Sequence, residues 1–222
     1  MRADWQDFYE AMAKAIGSHS GAELYNLIRN LASQQTWLAY MHFEDTAIWQ
    51  KRGHSLDPFS VMGIFNRGQS DPHRAAIGKA LAEAFAVKQA APTCYHGIPH
   101  LDPRKSIYDG DAQMWELYHA AGKLDAQFIA AWNKAINVHG NGLGTLSIGL
   151  FWIMPNLYMA VDRISVPYIH EVTGVQAPHD KCDGDEYVKF LTELSARLKA
   201  KAINYPELAF AAWQETHDGA EC

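Results

Sequence analysis

Cysteine is scarce: the chain holds only Cys94, Cys182 and Cys222, widely spaced and with no C-x-x-C pair among them. An odd, scattered set of this kind predicts neither a disulfide framework nor a structural zinc site. Long apolar runs are missing too. No stretch of 18 or more residues is free of polar breaks, so no membrane-spanning helix is expected. The N-terminus, MRADWQDFYEAM, is amphipathic rather than the apolar centre of a secretion signal. A soluble, cytoplasmic protein with no membrane partner is expected. The pattern G-x-x-x-x-G-K-[ST] is absent, so these residues encode no P-loop motor. Basic charge is in deficit, with 19 Lys and Arg against 25 Asp and Glu and a formal net charge of −6. That balance disfavours a grip on nucleic acid built mainly on phosphate neutralisation. A DNA contact would need the basic residues gathered on one face, from Arg67, Arg74, Lys79, Arg104, Lys105 and Arg163. Period-two alternation is nearly absent, so strands should be few.

What the chain does have is apolar helical periodicity. Its 222 residues, 48% of them hydrophobic, can bury one large core. A single, mainly α, multi-helix domain spanning 1–222 is predicted. Trp5, Phe8, Met12 and Ile16 mark a helix over 4–16. Leu24, Leu27, Ile28 and Leu31 mark a second over 22–33, with a pattern that extends toward Tyr40. Asp71 and Pro72 suit an N-cap and first turn, opening a helix to about Ala86. Further helices are predicted near 112–121, 123–137, 164–169, 185–202 and 206–213. Residues 90–111 have no helical period and contain Pro92, Gly97, Pro99, Pro103 and Gly110. Long loops of this kind are often functional, and Tyr95, His96 and Arg104 are the chemically useful members. The loop could equally wrap the core with Ile98 and Leu101 as plugs. The 11 histidines are scattered, and the nearest pair, His96 and His100, is interrupted by Pro99; no metal and no cofactor is expected.

Val138 to Asp162, VHGNGLGTLSIGLFWIMPNLYMAVD, stands out as the centre of a site. Gly140, Gly142 and Gly144 allow a tight turn and close backbone approach. Thr145 reads as the N-cap of a helix buried all round, with Leu146, Ile148, Leu150, Phe151 and Ile153 in the core, and Pro155 stops it. Free amides and the positive dipole end make the start of such a helix an anion site. In PFSVMGIFNRG, Arg67 beside a glycine turn can grip phosphate and Asn66 can read a base edge; alternatively Asn66 caps the next helix and Arg67 is solvated. The aromatic run WLAYMHFEDTAIW over 37–49 lines a pocket or fills a core, and the core is favoured because such residues supply large apolar area.

Two resemblances follow from these stretches. V-x-G-x-G before a helix, with Met159-Ala160-Val161-Asp162 ending twenty residues after Gly142, resembles the helix-hairpin-helix element of the DNA glycosylase superfamily. Asn141 replaces the usual apolar hairpin residue, and Gly144 stands where bifunctional members carry lysine, so the resemblance implies no lyase chemistry. Four further segments, in order, resemble the N-terminal region of McrB-like, modification-dependent restriction GTPases. They are Asp57 to Gly68, Gly97 to Leu101 with Ser106, Leu146 to Asp162, and Tyr205 to Leu208 with Trp213. This resemblance implies a DNA-recognition domain that reads modified bases and works with an AAA+ GTPase motor and a nuclease subunit, the chain ending where that motor would begin. DNA contacts are expected from Asn66, Arg67, Arg74, Arg104, Gly140, Gly142, Gly144 and Thr145. A cage for a flipped base would draw on Trp37, Tyr40, Trp49, Phe65, Tyr95 and Trp152. As a reader, the chain needs no catalytic residue of its own. The alternatives are a monofunctional glycosylase with Asp162 as its acid, and a protein-interaction module of a defence complex.

Overall fold

The structure, a computed structural model, describes residues 4–66, 70–100, 108 and 110–217. Among these residues the regular structure is entirely helical, with no strand. The helices are α1 (Asp4–Gly17), α2 (Gly21–Ala32), a 3-10 helix (Thr36–Met41), α3 (Thr46–Lys51), α4 (Pro58–Ile64), α5 (Asp71–Ala84) and α6 (Asp111–Ala120). They continue with α7 (Ala126–Ile136), α8 (Leu143–Ile153), α9 (Ser165–Thr173), α10 (Gly184–Ala200) and α11 (Tyr205–Thr216). None is long and apolar enough to cross a membrane.

The core forms around α8, in which every residue from Leu146 to Ile153 is buried. A helix apolar on all faces must be enclosed on all sides, and α1, α4 and α7 pack against it. Gly149 sets the approach of α4, since a Cβ there would lie 2.6 Å from a Phe59 ring carbon. The Phe8, Met12 and Ile16 stripe of α1 is buried as its spacing predicts. Its Tyr9 packs edge-on to Phe65.

Several helix boundaries differ from the sequence expectation, among them the start of α7 at Ala126 and the end of α9 at Thr173, and three have a visible cause. α2 stops at Ala32 instead of extending toward Tyr40, because Ser33 turns its hydroxyl onto the Asn30 carbonyl (2.7 Å) and closes the last turn. α5 is preceded by Ser70 in the cap position, and Asp71 lies inside the helix. The Asp71 carboxylate is engaged elsewhere, accepting from the Tyr95 amide (3.1 Å) and facing His96 Nε2 (3.3 Å). α8 begins at Leu143 with Gly142 as its N-cap, so Thr145 falls within the first turn.

That early start has a partner far away in sequence. The Leu143 amide donates to both the carbonyl (2.8 Å) and the Oδ1 (3.1 Å) of Asp180. A Cβ on Gly142 would sit 2.4 Å from the same Oδ1, so the glycine makes room for this carboxylate. The next residue, Lys181, donates from Nζ to the Ile136 carbonyl at the end of α7 (2.8 Å) and to the Asn141 carbonyl. Consecutive residues therefore set an anion on the positive end of α8 and a cation on the negative end of α7. Asp180→Ala is expected to cost about 1 kcal/mol, as lost caps do, measured by urea denaturation.

α4 is held by Asp57, whose buried carboxylate accepts from the Ser60 amide (2.9 Å) and the Ser60 hydroxyl (2.5 Å). Ser60 Oγ in turn accepts from the Tyr108 amide (2.9 Å). Burial raises the Asp57 carboxyl from 3.8 to about 6, against the lowering effect of the Ser60 hydrogen bonds. The folded value lies above the unfolded one, so the stability tied to this proton is fully present below about pH 4 and lost as pH rises through about 6. Relative to Asp57→Asn, the wild type should lose up to about 3 kcal/mol between those limits, read as the difference between their urea midpoints across pH.

Candidate functional site

The start of α5, the loop 95–100, the segment 160–165 and α11 enclose a cleft of about 810 Å³. Arg74, on the second turn of α5, forms part of its wall and is only 4% exposed. Its guanidinium donates to Asn66 Oδ1 (2.7 Å), the Phe65 carbonyl (3.3 Å) and the Tyr95 carbonyl (3.5 Å), and lies 4.3 Å from the Tyr95 ring centre. Asn66 Oδ1 also accepts from the Tyr9 hydroxyl at 2.5 Å. Burial pushes the Tyr9 phenol up to about 12, an effect the Arg74 charge partly offsets.

A stack of rings forms the α11 side. His96 lies on Trp213 (4.0 Å, 20°), and Trp213 is stacked with His217 (4.7 Å, 12°). The loop that carries His96 is tied to the core by Trp152, whose Nε1 donates to the Pro99 carbonyl (2.9 Å). Asp71, Cys94 and His96 lie within 4.8 Å of one another. Cys94, however, is disulfide-bonded, so its sulfur is not a thiolate donor for a metal; that bridge is more than the cysteine spacing predicts. Cys182 is a free, buried thiol, pushed up to about 12 by burial.

Asp162 reaches the cleft from an irregular segment pinned at several points. Ser147 Oγ accepts from the Val161 amide (2.9 Å), and Ser165 Oγ donates to the Ala160 carbonyl (2.7 Å). The Asp162 Oδ1 accepts from the amides of Ile164 (3.0 Å) and Ser165 (2.7 Å), ahead of α9. This is the hydrogen bonding of a helix cap. Arg163 beside it is exposed and lines the same cleft.

Of the residues singled out from sequence, Arg74, Tyr95 and Asp162 line this cleft, with Trp152 anchoring its loop. Asn66 lies behind the wall, buried, its amide donating to the Met62 carbonyl (2.9 Å). Phe65 is fully buried against Phe8 and Tyr9. Trp49 is fully buried and stacked on Phe43 (4.8 Å, 8°), while Trp37 and Tyr40 are half-buried on the 3-10 helix; none of the three lines the cleft. Gly144 and Thr145 border an adjoining groove with Asp180, which shares His100, Asp162 and Arg163 with the cleft, next to Gly142 and Gly140 of the hairpin. Arg67, Arg104 and Lys105 lie outside the described residues. The Asp180-Lys181 clasp has no sequence signal, since it sits in a polar loop without period. His217 was equally invisible, as its partner Trp213 is four residues away on a helix face that sequence does not orient.

Among the described residues the structure is helical and frames a cleft where cations, carboxylates and stacked rings meet. Residues 5–215 match the family described as "Domain of unknown function (DUF8425)", and the chain belongs to that family. No curated protein and no solved structure matches it.

Proposed function

We propose that this domain is the DNA-reading part of a McrB-like, modification-dependent restriction system, and that a modified base turned out of the duplex enters the cleft beside Arg74, Asp162 and Trp213. What supports the reading is convergence. Gly97 to His100, Asp162 and Trp213 all line the cleft, and Arg74 is bonded to Phe65 and Asn66 behind it. Parts of three of the four segments that carry the McrB-like resemblance therefore line the cleft, and the first touches it through Arg74. A volume of about 810 Å³ suits a small-molecule-sized group (roughly 300–1,000 Å³ is usual), and flipped bases are held by rings and edge hydrogen bonds. The partners on this reading are modified duplex DNA, a GTPase motor and a nuclease subunit.

Gel shifts with duplexes carrying cytosine, methylcytosine or hydroxymethylcytosine test the proposal. Trp213→Ala should erase the preference for a modified base and leave weak background binding. Arg163→Glu should weaken modified and unmodified duplexes alike, because phosphate contacts position without specifying. If the folded domain retards no duplex at low salt, the proposal fails.

A second reading, a monofunctional glycosylase, rests on the presence of Asp162 in the cleft. Its Oδ1 already accepts two amides, a capping role that asparagine can also fill. Asp162→Asn is therefore expected to cost about 1 kcal/mol or less, and the wild type in excess over modified oligonucleotides to release no base. Alkali-labile breaks that appear with the wild type and vanish with Asp162→Asn would reverse the order of the two readings.

A further inference from the structure

We propose that Asp71, Cys94 and His96 form a zinc-type metal site that opens when the Cys94 disulfide is reduced, an inference independent of the DNA reading. The donor atoms of the three residues lie within 4.8 Å of one another, and all three residues are half-buried. Two of them already have the spacing that a metal requires. Asp71 Oδ2 and His96 Nε2 stand 3.3 Å apart, and ligands at about 2.0–2.1 Å from an ion, on the corners of a tetrahedron, are separated by roughly 3.3–3.4 Å. The same distance suits a bare ion pair, so the third donor decides. A thiolate, a carboxylate and a neutral imidazole balance the charge of a divalent ion, and the sulfur and nitrogen select zinc over calcium or magnesium.

The carboxylate and the imidazole are oriented by contacts of their own. Asp71 Oδ2 accepts from the amide of Tyr95 (3.1 Å), the residue that separates the other two ligands, and the His96 ring is fixed on Trp213 (4.0 Å, 20°). Partners of this kind orient metal ligands and raise affinity. His96 lines the cleft and also a second one of about 800 Å³, which Cys94 lines too. An ion therefore has a route in, and three protein ligands leave a fourth position for water or a substrate. While the bridge is closed, the Cys94 sulfur is no thiolate and the site lacks its third donor. A dithiol opens it: attack on the disulfide passes two electrons to its two sulfurs, which leave as thiols with the two protons of the dithiol, and the dithiol closes to its own cyclic disulfide. Binding of the ion then releases the Cys94 thiol proton to solvent.

Titration of the whole chain with cobalt(II) tests this, since a thiolate-to-cobalt charge-transfer band in the near ultraviolet reports sulfur ligation directly. The chain reduced with dithiothreitol and desalted under argon should bind cobalt with that band, and zinc should displace it. The oxidised chain should show no band and bind at least about tenfold more weakly. Asp71→Asn and His96→Phe, the second keeping a ring to stack on Trp213, should each weaken binding of the reduced chain about tenfold or more with helical circular dichroism unchanged. Cys94→Ser should remove the band altogether. A band that survives in Cys94→Ser comes from another cysteine and overturns the site. So does the lack of any band in the reduced wild type, equal affinity of the oxidised and reduced chains, or undiminished binding by Asp71→Asn and His96→Phe.

Discussion

Phe151→Ala is expected to cost about 3–5 kcal/mol and to lower the Tm by roughly 6–20 °C for a domain of this size. Phe151 has no exposed surface and packs against Trp5 of α1 at 5.7 Å between ring centres. Its neighbours on α8 are themselves buried, so they have little freedom to move in and fill the space, and the cost should lie toward the upper part of the range. Calorimetry on the purified variant checks it. A Tm within a degree or two of the wild type would mean that α8 is not the centre of the core.

Arg74→Leu is the second large effect, and its sign depends on two opposed terms. Removing the guanidinium relieves the cost of a buried charge. It also strips a donor from the Phe65 carbonyl, at about 1–3 kcal/mol for a buried acceptor left unpaired, while the Tyr95 carbonyl keeps the Ile98 amide (3.1 Å). Asn66 Oδ1 keeps the Tyr9 hydroxyl. With the Phe65 carbonyl left without this donor, a net loss of about 1–3 kcal/mol is expected. The Tyr9 phenol, already pushed up to about 12 by burial, should titrate still higher once the cation that holds it down is gone, visible as phenolate absorbance. A variant of equal or greater stability would show that the uncompensated charge outweighs the bonds it makes.

The parts of the fold set by local chemistry were legible in the sequence, and the parts set by distant partners were not. α8 could be placed because its apolar run and Pro155 are written consecutively, and the five core residues predicted for it are buried. Its first residue could not, because the group that caps it is Asp180, 37 positions away. Asn66 shows the same limit. Next to Arg67 and Gly68 it reads as a surface turn, yet it is drawn inside by Tyr9, 57 positions earlier, and by Arg74. For the cleft, residue types were readable singly in Tyr95, His96, Arg74 and Asp162. Their assembly depends on the Trp152 bond to Pro99, across 53 positions, and on the stacking of His96 upon Trp213. No period or spacing encodes either contact.

The clasp at Asp180 and Lys181 also has a kinetic meaning. Cys182 follows it directly, fully buried, with its carbonyl accepting from Trp132 Nε1 (3.0 Å). A protonated, enclosed thiol does not react with alkylating reagents until the chain around it opens. Labelling of Cys182 under native conditions, followed by peptide mass, therefore times the opening of the loop that closes the hairpin. When reclosing outpaces the reagent, the labelling rate is the opening equilibrium multiplied by the rate for an exposed thiol. Loss of the Asp180 cap should then speed labelling about fivefold, the factor that corresponds to about 1 kcal/mol, while a change confined to the far side of the core should leave that clock unaltered.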